Sequence, residues 1–121
     1  MPNARQMLGS QGETAAVAYL EKQGFTILKT NYRTKQAELD IIAREQGTLC
    51  IIEVKTRTNR RKGLPKEAVT LSKQKKIIQG ALFYLKENKL VHPKIRFDVI
   101  EVICDKERNH IHLIRNAFQA G

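Results

Sequence analysis

Apolar, largely β-branched residues gather on both sides of Gln46-Gly47, Ile41-Ile42 before it and Ile51-Ile52 after it, the pattern of two strands joined by a tight turn and read with a period of two. Leu49, Ile51, Glu53 and Lys55 fall on one face of the second strand, and Cys50, Ile52 and Val54 fall on the other. Glu53 therefore interrupts an apolar face. Upstream, Ala16, Val17 and Leu20 mark a helix from about Ser10 to Gln23, with Gly24 as its stop, and residues 25–33 read as a first strand before the hairpin strands at 38–44 and 48–56. Gly63-Leu64-Pro65 ends an exposed loop. A second helix is predicted over 71–87, capped by Thr70 or Ser72, with Leu71, Ile78, Leu82 and Leu85 as its apolar stripe. Strands at 95–104 and 110–115 complete the order α-β-β-β-α-β-β, an α/β fold with a mixed sheet flanked by helices. The 121 residues fit a single domain, 1–121, with one sheet at its centre.

The hairpin register decides what its polar residues can do. A two-residue loop at Gln46-Gly47 sets Asp40 opposite Glu53 and Glu38 opposite Lys55, with Cα atoms roughly 4.5–5.5 Å apart. A three-residue loop with a bulge at Gly47 sends Asp40 to the other face. In the first register two carboxylates and an ammonium share one surface. Such carboxylates repel unless a proton or a cation lies between them. One resolution is a hard divalent ion such as Mg²⁺, or Mn²⁺, which needs only one or two protein carboxylates and completes its shell with water and phosphate oxygens. The other is a cross-strand ladder of ion pairs with Lys55 and nearby arginines.

Charge changes the picture further. The chain carries 22 Lys and Arg against 12 Asp and Glu, a net +10. Residues 55–76 hold nine bases, among them Lys55, Arg57, Arg60, Arg61, Lys62 and Lys73, and a single acid, Glu67. A basic run starting beside paired carboxylates suits a polyanion whose phosphates are brought to that site, and nucleic acid is the candidate partner. A solvated surface serving solubility is the plain alternative.

The ordered set Gly9-Ser10-Gln11-Gly12-Glu13, Asn31-Tyr32-Arg33, Glu38-Leu39-Asp40, Glu53-Val54-Lys55, Arg96-Phe97-Asp98-Val99 and Asn116-Ala117-Phe118 resembles the small bacterial YraN-like family of predicted endonucleases. That family lies within the PD-(D/E)xK nuclease superfamily and is related to archaeal Holliday-junction resolvases. The sequence departs from it at Ala37, where the family usually has glycine, and at Leu39, where the superfamily has proline. The resemblance implies a restriction-endonuclease-like core and metal-assisted phosphodiester hydrolysis on DNA, including branched or junction DNA. It implies Asp40 and Glu53 as ligands of Mg²⁺ or Mn²⁺, Lys55 as the third catalytic group, and Glu13 as an accessory catalytic acid and ligand. Arg33, Arg57, Arg60, Arg61, Lys62, Lys73 and Gln74 are the expected nucleic-acid contacts. Glu13 also fits a capping box with Ser10, a purely structural role. Beside two carboxylates and a phosphate, the Lys55 ammonium is expected to stay charged and to orient water.

A second function class is a non-catalytic DNA- or RNA-binding module on the same fold. No stretch approaches the roughly 20 apolar residues of a membrane span, so a soluble cytoplasmic protein is expected. For branched DNA, a homodimer presenting two sites is the economical arrangement. Cys50 and Cys104 lack metal-ligand spacing and read as reduced core residues. His110 and His112 share a strand face without a third ligand, Asp98 is placed to pair with a base, and Tyr32, Phe83 and Tyr84 read mainly as core.

Overall fold

A computed structural model describes residues 3–59, 69–91, 93–105 and 108–120. The elements are α1 (Ala4–Lys22), β1 (Thr26–Arg33), β2 (Glu38–Glu45), β3 (Thr48–Arg57), α2 (Leu71–Glu87), β4 (Lys94–Cys104) and β5 (Asn109–Phe118). The strands form one sheet in the order β1-β2-β3-β4-β5. Neighbours are antiparallel except β3 and β4, which run parallel because α2 crosses over between them. This is the expected element order and mixed sheet.

The hairpin turn takes the two-residue form. Gln46 and Gly47 both have positive φ, 48° and 82°, as the primed turn that matches strand twist requires. Paired residues run from Glu45↔Thr48 to Ile41↔Ile52, the register expected for the two-residue loop. Each face of the sheet buries its own apolar cluster. Ile41, Ala43, Cys50, Ile52, Ile100 and Val102 pack with Ala16 and Leu20 of α1. Leu39, Ile42, Leu49, Ile51, Phe97 and Val99 pack with Ile77 and Ala81 of α2. Both cysteines are free and buried in the α1 layer.

Two sequence expectations need correction. Helix α1 starts well before Ser10: Asn3 is its N-cap and forms a reciprocal box with Gln6, the Gln6 N–H donating to Asn3 Oδ1 at 2.8 Å and the Asn3 N–H to Gln6 Oε1 at 2.9 Å. Ser10 lies inside the helix, so Glu13 has no capping role. The apolar stripe of α2 is also rotated from the one expected. Leu71 and Leu82 are 74% and 58% exposed, while Ile77, Gly80 and Ala81 face the sheet and Ile78 and Leu85 of the expected stripe pack half-buried against the same cluster. Small residues win the inner face because α2 approaches β2 closely: a Cβ at Gly80 would lie 3.0 Å from Leu39 Cδ2 and 3.2 Å from the Ala37 Cβ. Ala37 is thus spent on packing against α2.

Gly12 sets the distance between α1 and the sheet. A Cβ there would fall 1.9 Å from Thr56 Oγ1 and 2.8 Å from Thr56 Cβ, and the latter cannot rotate away. Gly12→Ala is expected to destabilise the fold by roughly 1–3 kcal/mol, the usual cost of overpacking, despite the better helix propensity of alanine. Urea unfolding checks this, and unchanged or raised stability would show that α1 can lift from β3 without cost.

Candidate active site

At the end of the hairpin away from its turn, β2 parts from β3. The last registered pair is Ile41↔Ile52, and the Val54 N–H beyond it donates to Asp40 Oδ2 at 2.8 Å. A side chain has taken the place of a ladder carbonyl. The chain changes face here as well, since Leu39 joins the α2 cluster and Ile41 the α1 cluster. Asp40 sits at the crossing point. Its carboxyl group lies beside that of Glu53, which is only 7% exposed, close enough for the two to interact directly.

Glu13, Asp40, Glu53, Lys55 and Lys73 line one open cleft of about 370 Å³, with Arg5 and Gly9 on its α1 wall. Burial first, then the Glu53 charge, pushes the Asp40 carboxyl up to about 8, against the Val54 N–H, which favours the charged form; Glu13 adds a smaller push. Lys73 lies on the other side of Glu53, its Nζ 3.0 Å from Glu53 Oε1. Burial opposes the Lys73 ammonium, but Glu53 and the hydrogen-bonding contact with Lys55 raise its pKa above the ordinary lysine value. Lys55 moves the other way: burial and the neighbouring Lys73 lower it, outweighing the pull of Glu53 and Asp40. The Lys55 ammonium, expected to stay charged, is thus held less firmly than an ordinary lysine's, by burial first and by the second lysine after it.

The expected catalytic acids, Glu13 included, and Lys55 thus converge. Glu38 does not join them, lying 3.5 Å from Arg33 on the exposed hairpin β1–β2 instead of opposite Lys55. Of the expected phosphate contacts, Arg33 is exposed near that hairpin end, whereas the Arg57 guanidinium is mostly covered and lies 3.8 Å from the buried Glu101 carboxylate. Gln74 is committed locally, its Nε2 donating to the Val69 carbonyl at 2.9 Å. Arg60, Arg61 and Lys62, with the Gly63-Leu64-Pro65 turn, lie outside the described residues. Arg5 is a cleft residue the sequence reading missed. Once Asn3-x-x-Gln6 is read as the cap, Arg5, Gly9 and Glu13 fall four residues apart on one helical face, which is the signal that finds it.

Among the described residues, no three of His, Cys, Asp and Glu close into a preformed metal cage. His110 pairs with Asp105 at 2.8 Å on the surface. A larger groove of about 920 Å³ is lined by α1 and by Asn109 at the start of β5, but Gln6, Ser10, Gln11 and Thr14 give it no titratable group. What the Asp40–Glu53 pair does fit is a hard cation that takes two carboxylate oxygens and draws its other ligands from solvent and substrate.

Residues 12–102, the stretch from Gly12 into β4 as far as Val102, match a known protein family. The chain belongs to the uncharacterised protein family UPF0102. It is 53% identical over 119 residues to a UPF0102 protein of Desulforapulum autotrophicum, covering 98% of each chain. With a UPF0102 protein of Desulfosudis oleivorans it shares 47% identity over 121 residues, covering 100% of this chain and 97% of that one. With one from Lachnoclostridium phytofermentans it shares 44% over 117 residues, 96% of each chain. The UPF0102 match takes in every acid and lysine of the cleft and leaves β5 outside it.

The Asp40 environment has a thermodynamic signature. Between the ordinary value of 3.8 and about 8 the folded chain keeps a proton that the unfolded chain has released, so stability falls as pH rises through that window. Asp40→Asn removes the penalty. With a chelator present, the variant is expected to be more stable than the parent by roughly 1–2 kcal/mol at pH 8, the gain vanishing near pH 4. Thermal melts across that range check it, and a variant no more stable at pH 8 would contradict the coupled pair.

Proposed function

We propose that this protein is a metal-dependent endonuclease acting in the cytoplasm on DNA, with branched or junction DNA as the favoured substrate class. One observation carries the reading: Asp40 and Glu53 are in contact at a strand divergence beside Lys55, in a basic chain. The resemblance to the PD-(D/E)xK superfamily and to archaeal resolvases supports it, and so does the convergence of Glu13 on the same cleft.

In this reading Asp40 and Glu53 hold Mg²⁺ or Mn²⁺, and Glu13 assists directly or through a water. The ion would supply Lewis acidity to the scissile phosphate and acidify a water. The Val54 N–H fixes the Asp40 carboxylate, so one ligand is oriented by the β3 backbone before substrate arrives. Lys55 lies in the same cleft, and its weakened ammonium can orient the attacking water and exchange a proton with it. Arg5, Arg33 and Lys73, with the basic segment that follows β3, provide the grip on phosphates. Two such sites in a homodimer would address both strands of a branched substrate.

The test is cleavage of a panel of four-way-junction, flap, duplex, single-stranded and RNA substrates with Mg²⁺ or Mn²⁺. Asp40→Asn and Glu53→Gln are each expected to lower metal-dependent cleavage by at least a hundredfold while leaving DNA affinity within a few fold, because the electrostatic grip lies elsewhere. Retained cleavage would remove the proposed catalytic pair. A non-catalytic nucleic-acid-binding module is the second reading, favoured by one observation, that Glu53 already has a cation partner in Lys73. Tight DNA or RNA binding without scission of any substrate would select it.

A further inference from the structure

Lys73 stands where helix energetics disfavour it. It is the third residue of α2, its N–H donating to the Thr70 cap hydroxyl at 3.2 Å, and the first turn contains no acid. The N-terminal end of a helix carries partial positive charge, so an ammonium there is repelled and a carboxylate would be favoured. Glu53 supplies what offsets this, 3.0 Å away. The pair is lopsided in exposure: the Glu53 side chain is 7% accessible and fixed in β3, whereas the Lys73 side chain is 43% accessible on a flexible stem rooted in the cap. The lysine can swing out and the carboxylate cannot.

The arrangement therefore runs Asp40, Glu53, Lys73, with one oxygen of Glu53 taken by an ammonium and its carboxyl group also in contact with Asp40. A divalent ion sitting between the two acids needs that oxygen or the space beside it. We propose that Lys73 is a positioning residue that holds Glu53 in place while the site lacks a divalent cation and gives up that contact when the cation binds, so that this one ammonium sets the metal affinity of the cleft. This rests on the metal-dependent reading above. Because lysine is a point charge on four methylenes and not a planar fork, the exchange loses one contact and leaves the cap and the helix unchanged.

Calorimetric titration of the full-length protein with Mn²⁺ at pH 8, in the absence of DNA, tests the exchange. Lys73→Met keeps the apolar stem and is expected to bind Mn²⁺ about tenfold more tightly than the parent, with Lys73→Gln as a second neutral variant should the first fold poorly. Lys75→Met, which removes the same charge from an exposed position on the same helix, is expected to leave the affinity unchanged. Combining Lys73→Met with Asp40→Asn is expected to abolish the binding. Equal affinity in the parent and both Lys73 variants, lost with Asp40→Asn, would overturn the exchange and leave the metal site standing. Equal tightening in Lys75→Met would reduce the effect to net charge and overturn it too. Absence of Mn²⁺ binding in every variant would remove the metal reading, and the exchange with it.

Discussion

Two carboxyl groups held in contact within a partly covered cleft are the constraint around which this fold is organised. A like-charged pair of this kind keeps a proton, recruits a cation or pushes apart, and here the backbone prevents the third outcome. Asp40 is tied to the Val54 N–H and Glu53 is fixed in β3, between the Ile52 of one core layer and the Lys55 side of the cleft. The result is a site whose charge is unbalanced by design of the strands: Asp40 retains its proton to about pH 8, Lys73 is drawn in as a partial counterion, and Lys55 is left with a weakened ammonium.

The opposite end of the same hairpin shows what a satisfied acid looks like. There Glu45 accepts from Arg115 at 2.8 and 3.0 Å and from Arg96 at 2.7 Å, and these guanidiniums, Arg115 first, outweigh its burial and hold it down to about 2. Both arginines also lie over the Phe25 ring, at 6.0 and 5.5 Å from its centroid. Arg96 further grips the fully buried Asp98, which in turn accepts the Asn116 N–H at 2.9 Å where β5 bulges. This network joins β2, β4 and β5, so Arg96-Phe97-Asp98 and Asn116-Ala117-Phe118 meet in one contact. Every acid there has its arginine, so the cluster is structural. Glu45 and Asp40, five residues apart on β2, are shifted in opposite directions, so the unbalanced charge lies at the Asp40 end.

Much of this was legible from local pattern. The apolar runs and the Gln46-Gly47 turn gave the hairpin but left two registers open, and the positive φ at both turn residues decides for the two-residue loop. Gly24 and Thr70 marked helix ends through their capping chemistry. Other features depend on contacts distant in sequence. The inner face of α2 is written in Ile77, Gly80 and Ala81 as well as in Ile78 and Leu85, since close approach to Leu39 and Ala37 rewards small residues that a hydrophobic stripe overlooks. The start of α1 is missed unless Asn3-x-x-Gln6 is read as a cap, and the need for a bare Gly12 shows only once Thr56 is placed against it. Lys73 was readable as a base near a polyanion site, but its contact with Glu53 depends on how the crossover helix lands on β3.

The claim most open to direct measurement is the coupling of Asp40 to Glu53. Carbon-detected NMR titration of the side-chain carboxyl groups, in metal-free buffer and again with Mg²⁺, reads it residue by residue. Without metal the Asp40 midpoint is expected near 8, falling well below neutrality once Mg²⁺ is added. An Asp40 midpoint near 4, unmoved by Mg²⁺, would contradict it.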